Sequence, residues 1–281
     1  PLTRAEIATN DERRIDALDI YVFGSKELEG EYTFQEKFSY RSDGSTVENS
    51  SGIEVENGDG NSSQPTVLFR PKKGLYIKLY CVANQPDLYR LDTSHPDAPS
   101  YVKYEDYTPL QQTAPGSPDN VVTLGIPTES DFCGFISRPL NPANAADSIV
   151  PALVMVGAHI APVDLHDFSL SSRLYAGVKL TRGVARFDVV NDASASRFTL
   201  ESVSLGNGRS ATRLFPLEAL AGASGELVTY PFRSLKKMPK VNENQALPVF
   251  YSYACTVEDK GYLILKGKYV MNQGEVKDVS Y

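Results

Sequence analysis

The residues best suited to chemistry lie in one nine-residue stretch, His-Ile-Ala-Pro-Val-Asp-Leu-His-Asp. Its side chains His159, Asp164, His166 and Asp167 are of the kinds that bind zinc or act as acids and bases. On a strand, a spacing of seven residues places His159 and His166 on opposite faces, and Pro162 would interrupt a helix. We therefore predict an ordinary loop that binds no catalytic metal, and a metal site at these residues is the alternative.

Other patterns that carry catalysis are missing from the sequence. It contains no GxxxxGK[ST], GxSxG or HExxH, and no GxGxxG ahead of a helix. His95 precedes a proline in a predicted turn and has no nucleophile signature nearby. Glu54, Glu56 and Asp59 are acidic but lack the spacing of a calcium-binding loop, so we predict solvated charges there. The sequence therefore predicts a protein that is not an enzyme and that holds no cofactor and no metal.

Composition narrows the classes of protein further. The chain has 281 residues and a formal charge of −7, from 28 basic and 35 acidic side chains. This charge, with no basic stripe, argues against nucleic acid as a partner. The 20 glycines and 18 prolines leave little room for long helices and suit short strands joined by turns. Cys81, Cys133 and Cys255 are widely spaced and predict buried thiols, with one disulfide and a free thiol as the alternative.

Alternating apolar and polar residues predict that strands dominate the chain. The clearest stretches are residues 14–23, 32–40 and 75–83, in which apolar side chains recur at every second position. We expect each of these strands to be buried on one face and in contact with water on the other. The polar stretch 41–64 predicts a long exposed loop or a hairpin.

The second of these strands has the most regular pattern. Tyr32, Phe34, Phe38 and Tyr40 share its apolar face, and only Glu36 interrupts that face. A regular strand places such residues on one side of the sheet. The sequence therefore predicts that these four aromatic side chains enter the same core.

A restart of the alternation indicates where the chain divides. Strand-like patterns begin again at Val178, after a stretch that contains several serines and a proline. We place the boundary there, which gives an N-terminal domain of residues 1–177 and a C-terminal domain of residues 178–281. Each part is long enough to bury a core of its own.

Four short motifs carry a resemblance to a known family. They are the strand 14–23, which ends in IYVF, LYCVAN at residues 79–84, VMVG at residues 154–157, and VKLTRGVARFDVV at residues 178–190. In the last motif, Leu180, Arg182, Ala185 and Arg186 form the pattern LxRxxAR. In this order the motifs resemble the type V fimbrillins of Bacteroidales, that is, FimA-type and Mfa-like fimbrial subunits.

The resemblance implies an all-β fold of two transthyretin-like β-sandwich domains in tandem. It also implies a structural subunit of cell-surface fimbriae that is exported as a lipoprotein precursor and displayed at the outer membrane. In this family an arginine-specific protease cuts ahead of the first strand, and a strand from a neighbouring subunit fills the opened groove. The matching position is Arg4, with Ala5 as the new N-terminus. Arg13 and Arg14 match less well because they abut the first strand.

The implied partners are other fimbrial subunits, the arginine-specific protease and a host or bacterial surface ligand. The family continues past the segment that resembles residues 261–270 with further strands and a donor segment, whereas this sequence ends at Tyr281. Either a tail follows, or this subunit does not donate a strand. Two other functions stay open: a non-polymerising surface module that binds carbohydrate or protein through loops 41–64 or 96–118, and a secreted hydrolase with a site near residues 159–167.

Overall fold

The chain folds almost entirely into strands. The computed structural model describes residues 10–56, 66–94, 100–112, 121–141, 144, 147–167, 173–189, 197–215, 223–230, 232–234, 247–255 and 259–281. Within these residues, twenty strands accompany two short helices. This content confirms the predicted all-β class, whereas the arrangement as two transthyretin-like sandwiches in tandem stays a prediction. None of the helices in the described ranges has the length and apolar character needed to cross a membrane.

The elements are numbered in chain order. The helices are α1 (Asn10–Arg13) and α2 (Glu129–Cys133). The strands are β1 (Ala17–Ser25), β2 (Thr33–Arg41), β3 (Ser51–Gly52), β4 (Glu54–Glu56), β5 (Thr66–Leu68), β6 (Tyr76–Ala83), β7 (Tyr89–Asp92), β8 (Ser100–Lys103), β9 (Gln111–Gln112), β10 (Val122–Thr123), β11 (Met155–Asp164), β12 (Thr181–Arg182), β13 (Val184–Val189), β14 (Phe198–Gly206), β15 (Gly208–Thr212), β16 (Ala223–Val228), β17 (Arg233–Ser234), β18 (Leu247–Tyr253), β19 (Tyr262–Val270) and β20 (Val276–Ser280).

The chain divides into two compact units that are each discontinuous in sequence. Unit 1 comprises Pro1–Ser137, Ala152–Arg182 and Leu214–Leu217, and unit 2 comprises Arg138–Pro151, Gly183–Arg213 and Glu218–Tyr281. The predicted division between residues 177 and 178 stays a prediction.

Unit 1 is built on a six-stranded sheet in the order β12-β11-β6-β1-β2-β3. All neighbouring pairs are antiparallel except β2 and β3. The central strand β1 places Ile20 opposite Phe38 of β2 and opposite Cys81 of β6. These side chains belong to an aliphatic core with Leu18, Val22 and further residues of β6 and β11. The three strongest strand predictions therefore form the centre of this sheet.

The expectation of one wet face is wrong for β1. Eight of its nine residues are buried, because the second face of the sheet is covered by aromatic side chains. On that face the ring of Phe23 lies 4.9 Å from that of Phe132 and 5.4 Å from that of Tyr80, measured between ring centres. Tyr21 also contacts Phe132, at 4.9 Å. The alternation in β1 thus separates an aliphatic core from an aromatic one and does not separate protein from water.

The prediction that four aromatic residues of β2 share one face is also wrong. Val22 pairs with Glu36, but its neighbour Phe23 pairs with Phe34, so one extra residue of β2, Gln35, forms a bulge. A bulge exchanges the faces on its two sides. Phe34 consequently joins the aromatic core beside Phe23, whereas Phe38 enters the aliphatic core.

Helix α2 supports the aromatic face. Thr128 caps its first turn, because the threonine hydroxyl accepts a hydrogen bond from the backbone N–H of Asp131 at 3.2 Å. The helix places Phe132 in the core with no exposed surface. Its first residue, Glu129, accepts hydrogen bonds from Lys78 at 2.8 and 3.1 Å and from the hydroxyl of Tyr80. A short helix therefore fixes the sheet face that the sequence pattern did not predict to be buried.

Unit 2 contains a four-stranded sheet in the order β17-β14-β19-β20 and the pairs β13–β18 and β15–β16. Its buried apolar residues include Val203, Leu205, Phe250 and Tyr253. The rings of Phe187 and Phe250 stack across the β13–β18 pair, with centres 4.9 Å apart. These contacts form a second core, and its residues come from a different part of the sequence than the residues of the unit 1 sheet.

Two smaller predictions concern the loop and the thiols. Strands β4 and β5 pair antiparallel, with Glu54 opposite Leu68, which confirms the hairpin alternative for the polar stretch. Its residues 57–65 lie outside the described part of the chain. Cys81, Cys133 and Cys255 are all free, and only Cys81 is fully buried, so the alternative of one disulfide is wrong. Burial raises the pKa of the Cys81 thiol to about 12.

Candidate functional site at the N-terminal segment

The sequence places its functional residues, Arg4 and Ala5, just ahead of the first strand. Both lie outside the described residues, which begin at Asn10. The structure does describe the seven residues that lead into β1, residues 10–16, which we call the N-terminal segment. The contacts of this segment determine how close to the folded unit the predicted cleavage site lies in the chain.

Asn84 ties the N-terminal segment to the end of β6. Its amide oxygen accepts hydrogen bonds from the backbone N–H groups of Asp16 at 2.8 Å and Ala17 at 3.3 Å. Its amide nitrogen donates to the carbonyl groups of Arg14 at 2.8 Å and Leu153 at 2.9 Å. The amide thus uses all four of its hydrogen-bonding positions. With φ at 61°, the backbone is left-handed, a conformation that asparagine tolerates better than most residues.

A second contact holds the start of the segment. Arg182 pairs with Met155 across β12 and β11, and its Nε donates to the carbonyl oxygen of Glu12 at 3.1 Å. Glu12 is only 3% exposed. The chain ahead of Arg182 reaches this position by passing close to Gly157, where a Cβ atom would lie 2.5 Å from the carbonyl oxygen of Lys179. A glycine is therefore needed at position 157 for this approach.

Three motif residues thus act on one segment. Asn84 ends LYCVAN, Gly157 ends VMVG, and Arg182 lies in the LxRxxAR pattern. The motifs alone indicate no role for these residues. The left-handed backbone of Asn84 could have been predicted from an asparagine directly after a predicted strand, because asparagine adopts this conformation more readily than most residues. For Arg182 no such local signal exists, since its partner Glu12 is 170 residues away.

The two arginines that match the predicted cut less well lie inside the held segment. Arg14 forms ion pairs with Asp11 at 3.3 Å and Asp16 at 2.8 Å. Its side chain is about half exposed, so these pairs contribute little to stability. The bond after Arg14 is nevertheless flanked by the hydrogen bonds of Asn84 to Arg14 and Asp16. A protease would need to open this part of the fold before it could cut there.

The histidine-rich stretch does not assemble into a larger site. His159 lies in strand β11, opposite Leu79 of β6 and ahead of a bulge, so the prediction of a loop is wrong for residues 159–164. His166 follows the end of β11, where its ring Nδ1 lies 2.8 Å from the carboxylate of Asp164 and its ring packs on Tyr76. A hydrogen bond from the backbone N–H of His166, with a second from its ring, holds the pKa of Asp164 below its usual value.

The other acidic and histidine residues named from the sequence are only partly described. Within the described ranges, no three side chains of His, Cys, Asp or Glu come together in a geometry that could hold a metal ion. The absence of a catalytic metal at residues 159–167 stays a prediction. Glu54 and Glu56 begin and end strand β4, whereas His95 and Asp59 lie outside the described residues.

Comparison with known proteins gives matches among solved structures. No protein-family model matches the chain, and no curated protein matches it. Similar structures include the tip fimbrial protein Mfa3 from Porphyromonas gingivalis, crystallised with a C-terminal truncation, at 18% identity and a TM-score of 0.46, covering 96% of this chain and 77% of that one.

Two further structures are similar at lower identity. A candidate adhesin from Bacteroides ovatus is 12% identical with a TM-score of 0.42, covering 95% of this chain and 70% of that one. A candidate cell adhesion protein from Parabacteroides distasonis is 13% identical with a TM-score of 0.42, covering 95% of this chain and 77% of that one.

Proposed function

We propose that this chain is a structural subunit of cell-surface fimbriae that supports cell adhesion and performs no catalysis. The observation that carries the proposal is that Asn84 and Arg182 bond to the N-terminal segment, while Gly157 leaves room for the chain that leads to Arg182. These residues come from three of the motifs that resemble fimbrillins, and together they hold the chain directly downstream of Arg4. A cut after Arg4 would leave five residues, 5–9, ahead of the N-terminal segment, whose bonds to Asn84 and Arg182 would stay in place.

The proposed assembly begins with that cut. An upstream strand that occupies a groove in the same subunit is favoured by its high effective concentration, because it is covalently attached. After cleavage of the Arg4–Ala5 bond this advantage is lost, and a strand from a neighbouring subunit can replace it. The hydrogen bonds of Asn84 and Arg182 would keep β1 in register during the exchange, so that the acceptor groove keeps its shape.

Unit 2 offers features that support assembly by strand addition. Strand β20 lies at the end of its sheet, so within the described chain one side of its backbone has no strand beside it. About five inter-strand hydrogen bonds at about 1 kcal/mol net each would join an added strand to this edge, because β20 has five residues. Three or four buried side chains at about 1.5–3 kcal/mol each would contribute further. A large barrier to release of the strand would make the polymer persistent.

The proposal also fixes partners and location. The partners are other fimbrial subunits, an arginine-specific protease and a ligand on a host or bacterial surface. The chain would be exported as a lipoprotein precursor and displayed at the outer membrane as part of a fimbrium. The formal charge of −7 is compatible with this location and unfavourable for a nucleic-acid partner.

Cleavage at Arg4 gives the test. The precursor and its Arg4→Ala variant are treated with an arginine-specific protease, and the products are separated on a mildly denaturing gel. We expect the parent chain to give a ladder of polymers with Ala5 as the N-terminus found by mass spectrometry. The Arg4→Ala variant should stay monomeric with an unchanged circular dichroism spectrum.

Arg70→Ala supplies the matched control. Arg70 is an exposed arginine in the loop before β6, so its removal deletes one basic site without touching the N-terminal segment. This variant should polymerise like the parent. Polymerisation of the Arg4→Ala variant at the parental level would show that the switch is elsewhere, and a parent chain that is cut but never polymerises would favour the non-polymerising binding module.

A further inference from the structure

Unit 1 carries a pocket on the surface formed by strand β7 and the end of helix α2. Its volume is about 650 Å³. Strand β7 contributes Arg90 and Leu91, the chain after β8 contributes Tyr104 and Asp106, and α2 contributes Asp131. Pockets of this size are large enough to accept a small molecule or one unit of a larger one.

The floor of the pocket is aromatic and rigid. The rings of Tyr104 and Phe135 lie 4.4 Å apart, measured between their centres, and both residues are buried. The backbone N–H of Tyr104 donates to the carbonyl of Leu88 at 2.8 Å, and its hydroxyl donates to the carbonyl of Asp106 at 3.1 Å. A floor held in this way would not need to reorganise when a ligand binds, which lowers the cost of binding.

A cation at the rim of the pocket is not neutralised. The guanidinium of Arg90 lies over the ring of Tyr104, 5.2 Å from its centre, in a cation–π contact. Arg90 is exposed, and it forms no hydrogen bond or ion pair with the residues that the structure describes. The neighbouring cation Lys103 differs, because it pairs with Asp87 at 3.0 Å and with Glu105 at 3.4 Å. The five N–H donors of Arg90 are thus held in place and free for a ligand.

Two carboxylates line the same opening without reaching Arg90. Asp131 accepts a hydrogen bond from the hydroxyl of Thr128 at 2.8 Å, which fixes its orientation. Asp106 is exposed, and its carboxylate has no partner among the described residues. Burial raises the pKa of Tyr104, the charge of Asp106 raises it further, Arg90 opposes this, and Asp131 adds to it. All three charges therefore lie around the tyrosine on the pocket floor.

Apolar side chains complete the opening. Leu91 and Ile126 line the pocket and are 49% and 51% exposed. Ile126 is held by two backbone hydrogen bonds to Thr108, at 2.8 and 2.9 Å. The opening thus combines the donors of Arg90, the carboxylate acceptors of Asp106 and Asp131, and an aliphatic surface.

We infer that this pocket binds a neutral pyranose sugar of a surface glycan. Sugar hydroxyls donate to carboxylates and accept from guanidinium groups, and the C–H face of the ring packs on apolar side chains. Two carboxylates against one guanidinium would repel an acidic sugar, and a lysine side chain has no acceptor for the donors of Arg90. The inference rests on the proposed adhesive function, for which it supplies the class of ligand, and does not depend on assembly.

The test uses methyl glycosides of galactose, glucose, mannose and N-acetylglucosamine as probes, with N-acetylneuraminic acid and a basic peptide of unmodified lysine residues alongside. Saturation-transfer NMR on the uncut chain reports binding. We expect at least one neutral glycoside to bind with millimolar affinity and to receive saturation through one face of its ring. Arg90→Ala and Asp106→Asn should each weaken that binding at least tenfold, and Lys103→Ala should leave it unchanged.

Three results would overturn the inference. These are absence of binding by every neutral glycoside, tighter binding of N-acetylneuraminic acid or of the lysine peptide, and an equal effect of Arg90→Ala and Lys103→Ala. Failure here is distinct from failure of the proposed function, because a chain that binds no sugar can still give the polymer ladder after cleavage. Conversely, sugar binding by a chain that never polymerises would leave the pocket intact and reject the fimbrial subunit.

Discussion

The sheets of the two units differ in how they are covered. In unit 1, β1 is buried on both faces, by aliphatic side chains on one and by aromatic side chains on the other. In unit 2, the hairpin of β19 and β20, with the residue that follows it, leaves large apolar side chains exposed. They are Tyr262, Leu263, Val270, Met271, Val276 and Tyr281.

This difference indicates that the sheet of unit 1 is a structural scaffold, whereas the hairpin of unit 2 exposes a surface that can contact a partner. A sheet covered on both faces gains nothing further from a partner, because its apolar area is already removed from water. A single exposed apolar residue is ordinary, but Val270, Met271 and Val276 lie together at the turn of this hairpin, where Val270 pairs with Val276, and grouped exposed apolar side chains mark an interaction surface. We therefore expect unit 1 to hold the N-terminal segment. We expect unit 2 to expose the apolar surface that a neighbouring subunit would cover in the proposed assembly.

The largest expected effect is the loss of an aromatic side chain from unit 1. Phe23 has no exposed surface and contacts the rings of Phe34, Tyr80 and Phe132. Phe23→Ala should lower the free energy of unfolding by about 3–5 kcal/mol, because it leaves a cavity that the surrounding rings cannot fill. Urea unfolding followed by tyrosine fluorescence, with hydrogen exchange of β1, measures this loss.

Leu263→Ala is the counterpart in unit 2. Leu263 is 47% exposed on β19, so its removal should change the free energy of unfolding by only about 0.5 kcal/mol. In the assembled polymer the same substitution should weaken subunit association more than it weakens folding. Equal losses of folding stability from Phe23→Ala and Leu263→Ala would contradict the difference between the two sheets.

The sequence predicted the central strands of unit 1 because their alternation is regular over nine or ten residues. It predicted the aliphatic face of β1 for the same reason. It did not predict that the opposite face is buried, because Asp19 and Tyr21 are compatible with contact with water, and the ring that covers Tyr21 belongs to Phe132, more than a hundred residues away. Nor did alternation locate the bulge at Gln35, since a bulge depends on the pairing with β1.

The candidate site was predictable only as a set of motifs. LYCVAN, VMVG and LxRxxAR pointed to a family, but the contact of Arg182 with Glu12 depends on the pairing of β12 with β11. Long-range pairing of this kind leaves no periodic signal in the chain. The pocket at Arg90 was missed for a related reason, because its walls come from four segments that are separate in the sequence.

A smaller loss of stability than that of Phe23→Ala is expected from replacing Asn84, which bonds to the N-terminal segment. A matched residue in unit 2, Asn207, serves as the control. Asn84 and Asn207 both have positive φ, 61° and 52°, but the side chain of Asn207 has no hydrogen bond with the residues that the structure describes. Asn84→Gly keeps the conformation and removes four hydrogen bonds, so it should cost about 1–3 kcal/mol. Asn207→Gly should stay within about 0.5 kcal/mol of the parent.

Two measurements test whether Asn84 holds the N-terminal segment. Hydrogen exchange should accelerate at the amides of Asp16 and Ala17 in the Asn84→Gly variant, since both lose their acceptor. The arginine-specific protease should also begin to cut after Arg13 or Arg14 in this variant, because the segment opens more often. If Asn84→Gly and Asn207→Gly behaved alike in both measurements, Asn84 would be no more than a turn residue.

The smallest expected effect is a pH dependence of opposite sign in the two units. Glu36, which interrupts the apolar pattern of β2, has its pKa raised from 4.5 chiefly by burial, partly offset by a hydrogen bond from the backbone N–H of Lys72. Asp147 in unit 2 has its pKa lowered from 3.8, chiefly by hydrogen bonds from Arg138 at 2.6 and 3.0 Å. Burial disfavours a charge, whereas the guanidinium favours it.

The sign of each effect follows from linkage. The contribution of Glu36 is complete below pH 4.5 and is lost as the pH rises through its raised folded pKa, so Glu36→Gln should match the parent in acid and exceed its stability at pH 7. The contribution of Asp147 is complete above pH 3.8 and is lost as the pH falls through its lowered folded pKa, so Asp147→Asn should be less stable at pH 7, with a penalty that fades below pH 3.8. Both changes should be at most about 1 kcal/mol, because neither carboxylate is fully buried. Urea unfolding at intervals from pH 3 to pH 7 measures both, and the same sign for the two variants at pH 7 would show that burial and pairing do not distinguish these sites.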